Sequence, residues 1–143
     1  MKPIEFLSNN TDETLKLGKK IAAQLKPGDI VCLFGDLGSG KTTFVKGIAQ
    51  GLGIKPDAVN SPTFVLLNIY EGKRSLYHFD LYRLGNVKEI LAIGYEEYFY
   101  GDGITVVEWA ERLKFLMPKK YVRVELTHRG ENNRLIKILK HET

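Results

Sequence analysis

The chain has 143 residues, enough for one domain with one sizeable core. Its hydrophobic share of 43% and charged share of 27% are those of a globular protein, which excludes disordered and fibrous classes. A net charge of +4 is too mild to mark a nucleic-acid binder, and no apolar stretch approaches the length of a membrane span.

Residues 1–15 contain Glu5, Asp12 and Glu13 and have no apolar core, so no signal peptide is expected there and the protein is placed in the cytoplasm. Asn10-Thr11-Asp12-Glu13 predicts a helix start, with Asn10 as N-cap and Glu13 three residues on. Leu17, Ile21 and Leu25 follow at helical spacing, and Lys26-Pro27-Gly28-Asp29 ends the element. Ile30-Val31-Cys32-Leu33-Phe34 is a short apolar run of the kind that forms a buried parallel strand. The single cysteine, Cys32, lies inside it and reads as a small core hydrophobe, with no partner for an internal disulfide.

The next eight residues, Gly35-Asp36-Leu37-Gly38-Ser39-Gly40-Lys41-Thr42, fit G-x-x-x-x-G-K-[ST] at every fixed position. Phe44, Ile48 and Leu52 then stand at helical spacing, so the pattern sits between a strand and a helix, the context of a phosphate site. Gly35, Gly38 and Gly40 let successive N–H groups converge on an anion, and the helix N-terminus adds partial positive charge. In this arrangement Lys41 reaches the β- and γ-phosphates and Thr42 offers its hydroxyl to Mg²⁺, with Ser39 and Thr43 completing the loop. The expected ligand is a nucleotide with its magnesium ion.

Val59-Asn60-Ser61-Pro62-Thr63 forms a downstream loop where a switch-type protein keeps a threonine that senses the γ-phosphate; a plain turn explains the tripeptide equally well. Phe64–Tyr70 and Ser75–Tyr82 flank a glycine-containing turn and predict an antiparallel hairpin. Val87–Ile93 predicts a short helix. The surrounding stretch from Gly85 to Gly103 is acidic and aromatic, which suits a protein-contact surface better than a phosphate lid. Ile104–Val107 is a second buried strand, ending in Glu108, and a helix from Trp109 to Leu116 is terminated by Pro118. Tyr121–Leu126 and Leu135–Leu139 predict a closing hairpin. The basic residues of this last quarter, Lys119, Lys120, Arg123, Arg129, Arg134, Lys137 and Lys140, read as a solvated face. Residues 1–143 are therefore expected to form a single α/β domain of the P-loop NTPase type, with a central parallel sheet, antiparallel marginal strands and helices on both faces.

Hydrolysis would also need a carboxylate to hold Mg²⁺ or its waters and to orient the attacking water. Glu108 and Asp80 each end an apolar strand, where ligands collect in open α/β sheets. His78, His128 and His141 stand at no metal-ligand spacing and are assigned no role.

Together these residues resemble the TsaE family (also called YjeE), small ATPases of bacterial tRNA threonylcarbamoyladenosine synthesis. The matching pieces are Gly35–Thr43, Ser61-Pro62-Thr63-Phe64, His78-Phe79-Asp80-Leu81-Tyr82-Arg83 and Val107-Glu108-Trp109. The resemblance implies ATP rather than GTP, Mg²⁺ held by Thr42 and Glu108, a required acid at Asp80 that also serves the metal, a switch-like loop at Thr63, and Thr11 near the nucleotide. It further implies a weak ATPase that binds the TsaD and TsaB proteins and resets them between catalytic cycles, meeting tRNA only indirectly or at the complex. Neither a membrane nor DNA is an expected partner. A small-molecule or nucleotide kinase is the enzyme alternative. A GTPase would need an N-K-x-D tetrapeptide, which does not occur, and a non-hydrolysing RNA-binding module has only the basic tail behind it.

Overall fold

The computed structural model describes residues 2–35, 40–55 and 66–142. Among them seven strands form one sheet: β1 (Ile4–Ser8), β2 (Ile30–Phe34), β3 (Leu67–Tyr70), β4 (Leu76–Asp80), β5 (Ile104–Glu108), β6 (Lys120–His128) and β7 (Arg134–Glu142), in the order β1-β7-β6-β2-β5-β4-β3. β6, β2, β5 and β4 run parallel, whereas β7, β1 and β3 pair antiparallel to their neighbours. A parallel centre with antiparallel margins is the expected α/β architecture.

The apolar strands are central because both of their faces are covered. Val31 and Leu33 of β2 join Ile104 and Val106 of β5 in one core with the helices α1 (Thr11–Ala22) and α2 (Lys41–Gly51). Ile30 and Cys32 turn to the opposite face and pack with Phe79, Val107, Ile90 and Phe99. That face is closed by α3 (Lys88–Ala92), α4 (Glu96–Phe99) and a 3₁₀ helix at Ala110–Leu116.

The start of α1 forms as the sequence predicts. Oδ1 of Asn10 accepts the Glu13 N–H at 2.8 Å, while the Glu13 carboxylate reaches back to the Asn9 N–H at 2.6 Å. α1 and α2 cross almost backbone to backbone. A methyl group added at Gly47 would stand 2.1 Å from the Leu15 carbonyl oxygen, and one at Gly18 would stand 2.4 Å from that of Phe44. Only glycine permits this approach, and it holds α2, whose first residue is Lys41, closely against α1.

Two local readings change. β1, missed from sequence, is an edge strand whose ladder is supplied entirely by β7. The segment after Trp109 is a 3₁₀ helix broken at Lys114 (φ 52°, ψ −120°) rather than a regular helix. The stretch from Gly85 to Gly103 is mostly exposed, its acids Glu89, Glu96 and Glu97 among the exposed residues, but its aromatic side chains divide between surface and core. Phe99 is fully buried and meets Tyr95 and Phe79 edge to face, with centroids 5.0 and 5.3 Å apart, and Phe79 meets Tyr98 in turn at 6.0 Å; each pair is worth about 0.5–1.5 kcal/mol beyond the area it buries. Tyr100 and Leu91 are the large apolar side chains of the stretch that stand exposed. No helix among the described residues is long and apolar enough to cross a membrane.

Candidate nucleotide site

β2, β5 and β4 point their C-terminal ends to one edge of the sheet, and the glycine loop leaves β2 at that edge. Gly35 follows β2, and Gly40 caps α2 in the left-handed region (φ 97°), a conformation that a side chain would strain. Asp36, Leu37, Gly38 and Ser39, and the loop carrying Thr63, lie outside the described residues. Thr42 and Thr43 open the first turn of α2 and are partly exposed.

Lys41 is only 5% exposed. Its ammonium donates to the Gly35 carbonyl and stands 3.8 Å from the centroid of the Trp109 ring. A lysine so placed is satisfied by the Gly35 carbonyl and by an aromatic face.

The acids arrive by strand register. Asp80 and Glu108 are direct Cα partners across the parallel β4–β5 pair, and Glu108 is also the partner of Leu33 in β2. Side chains alternate along a strand, so Glu108 shares a face with Ile104 and Val106, and Asp80 shares one with Leu76. This is the face that packs on α2, so both carboxylates stand on the same side of the sheet as Lys41. Both are buried. Oδ1 of Asp80 accepts the Tyr82 N–H at 3.0 Å, which pins the turn leaving β4. Trp109, immediately after Glu108, has φ 58° and ψ 44°, a left-handed backbone that costs a non-glycine residue about 1–3 kcal/mol. That turn brings the indole over Lys41 and against Tyr82, with ring centroids 5.1 Å apart.

Two residues were not identified as part of the site from sequence. His78, given no role there, is fully buried with Nε2 2.5 Å from Oε2 of Glu108. Arg134 opens β7 at the same edge, and its side chain lies 3.7 Å from the point where a Gly40 methyl would stand. No motif marks Arg134; His78 opens the stretch His78–Arg83 that carries the family resemblance, but nothing in that stretch couples it to Glu108. Thr11 is the exposed first residue of α1, three residues past Ser8, and Ser8 is the strand partner of Arg134. Register thus brings Thr11 to the loop's edge of the sheet.

Fold and site together define an α/β protein of the nucleotide-binding class, with a glycine-rich sequence between β2 and α2. Residues 8–136 match the family model described as threonylcarbamoyl adenosine biosynthesis protein TsaE, and the chain belongs to that family. The tRNA threonylcarbamoyladenosine biosynthesis protein TsaE of Bacillus subtilis is 43% identical over 137 residues, covering 95% of this chain and 85% of that one. The TsaE protein of Treponema pallidum is 40% identical, with 92% and 97% covered, and that of Aquifex aeolicus 43% identical, with 94% of each covered. The crystal structure of YdiB from Bacillus subtilis superposes with a TM-score of 0.80 at 35% identity, over 99% of this chain and 87% of that one. The chain is therefore a nucleotide-binding protein of tRNA threonylcarbamoyladenosine biosynthesis.

Proposed function

We propose that this chain, a single domain acting in the cytoplasm, binds ATP with Mg²⁺, hydrolyses it slowly, and uses the nucleotide state to reset a TsaD–TsaB transferase between cycles. The observation that carries this reading is the register that sets Asp80 beside Glu108 on the face of the sheet that carries Lys41.

The donor set fits magnesium. Mg²⁺ prefers hard oxygen ligands, and in nucleotide sites it takes one or two carboxylates plus phosphate oxygens and water. Thr42 supplies a hydroxyl and Glu108 a carboxylate, with Asp80 beside it to hold a coordinated water. When bound, the metal neutralises charge that develops on the phosphates. Lys41 leaves the Gly35 carbonyl and the indole to meet the β- and γ-phosphate oxygens, and the loop N–H groups orient them. Asp80, held by the Tyr82 N–H, orients the attacking water.

Thr63 is assigned the γ-phosphate contact, and through it the nucleotide state reaches the partner proteins. Turnover by the isolated chain is slow because the complex supplies or positions the remaining groups. The deciding measurement titrates TsaD–TsaB against this chain in ATP, ADP and nucleotide-free buffer. ATP should change the affinity by roughly 5- to 150-fold, the ordinary size of allosteric coupling. Thr63→Ala should shrink that difference while ADP binding stays intact. Equal partner affinity in all three states would remove the switch reading.

A further inference from the structure

The pair formed by His78 and Glu108 is not explained by stability. Both side chains are buried, at 0% and 3% exposure, and their closest atoms are 2.5 Å apart. An ionised carboxylate can only accept, so Nε2 carries the hydrogen and donates it to Oε2 of Glu108. The other ring nitrogen, Nδ1, is buried and has no hydrogen-bond partner among the described residues. A histidine and a glutamate removed from water, with one nitrogen left unsatisfied, stabilise a fold less than apolar residues of the same size. Such an arrangement marks a functional constraint.

The register says what that constraint is. His78 is the Cα partner of Val106 across β4–β5, and two residues further along the same pair of strands Asp80 faces Glu108. The imidazole therefore leans diagonally towards the C-terminal edge and takes hold of the carboxylate there. It engages one carboxylate oxygen, Oε2, and so sets the rotation of the whole group.

We infer that His78 is a positioning residue that locks the Glu108 carboxylate in the orientation required to hold the nucleotide's divalent cation. The inference rests on the proposed role of Glu108, and its test separates the two. Hydrogen-bond partners of metal-ligating groups fix ligand orientation, and losing one ordinarily weakens metal binding by about 10- to 100-fold.

The experiment measures binding of ADP to the full chain by calorimetry across a Mg²⁺ titration, with metal-free ADP binding and thermal unfolding recorded beside it. His78→Phe should raise the half-saturating Mg²⁺ by about 10- to 100-fold and leave metal-free ADP binding unchanged. His78→Gln, whose amide nitrogen can reach the position of Nε2, should restore the wild-type Mg²⁺ requirement. His78→Asn, whose shorter amide stops near Nδ1, should not. This polar pair keeps the test decisive if the phenylalanine variant does not fold. A purely structural histidine would lower the unfolding temperature in all three variants without moving the Mg²⁺ midpoint. If Glu108→Gln moves the midpoint and folded His78 variants do not, the positioning role is overturned and the role of Glu108 stands. If neither moves it, the metal reading of Glu108 falls, and the positioning role with it.

Discussion

The ammonium of Lys41 lies 3.8 Å from the centroid of the Trp109 ring, so the lysine proposed to bind phosphate and the only tryptophan report on each other. A cation over an indole is worth about 0.5–2 kcal/mol and perturbs the emission of the ring. Binding ATP with Mg²⁺ should draw Lys41 towards the phosphates and change Trp109 fluorescence, with a smaller change for ADP. Lys41→Ala should shift the nucleotide-free spectrum and abolish the response, because it removes both the cation and most of the binding. A spectrum unmoved by saturating nucleotide would place the lysine over the indole in both states.

The two acids should fail in different ways. Glu108→Ala removes a proposed direct ligand and should raise the Mg²⁺ needed for ATP binding by at least the roughly 10- to 100-fold seen when a ligand loses its supporting partner. Asp80→Ala should lower hydrolysis by more than it lowers binding, since Asp80 works on water and on the Tyr82 turn. Thr42→Ala should resemble Glu108→Ala. Steady-state hydrolysis and ATP binding, each titrated with Mg²⁺, separate the cases; an unchanged Mg²⁺ requirement in Glu108→Ala counts against its placement.

The α1–α2 crossing makes a stability prediction. Gly47→Ala puts a methyl 2.1 Å from the Leu15 carbonyl oxygen and 3.1 Å from the Gly18 Cα, both backbone atoms. The helices must separate, at a cost of about 1–3 kcal/mol, the range for overpacking a close contact. Because α2 begins at Lys41, ATP binding should weaken too. Lys19→Ala, on the exposed side of α1, should stay within about 0.5 kcal/mol of wild type. Urea midpoints compare them, and an unshifted Gly47→Ala would show that the crossing has slack.

Burial pushes the Cys32 thiol up to about 12, against a smaller opposing pull from Arg123. In the unfolded chain the thiol ionises near its ordinary value of 9.0. The folded protein thus keeps a proton that the unfolded chain releases, and stability falls as pH rises from 9 towards 12. The loss approaches about 1.4 kcal/mol per pH unit in that window and is absent below it. Cys32→Ala should lack this component, so the difference in urea midpoint between the two proteins should change above pH 9 and hold steady at pH 6–8. Parallel behaviour at every pH would show that the thiol ionises alike in both states. The folded thiol should also resist alkylation at neutral pH.

Where structure was written locally, the sequence alone was enough to determine it. The Asn10 cap, the strand at Ile30–Phe34, the helix that starts at Lys41 and the hairpins rest on caps, side-chain periodicity and turn residues within a few positions of one another, and each forms where expected. Glu108 and Asp80 were legible for the same reason, as acids at the ends of apolar strands. Tertiary structure decided what depends on neighbours remote in sequence. β1 is a strand because β7 offers it an edge, and Phe99 and Tyr98 serve as core because the sheet lies beneath them. Arg134 comes beside Gly40 only through the order β7-β6-β2. His78 lies thirty residues from Glu108, and nothing in the intervening chain couples them. Their hydrogen bond exists because β4 and β5 pair in parallel in one register, and a slip of one residue would turn His78 to the other face of the sheet.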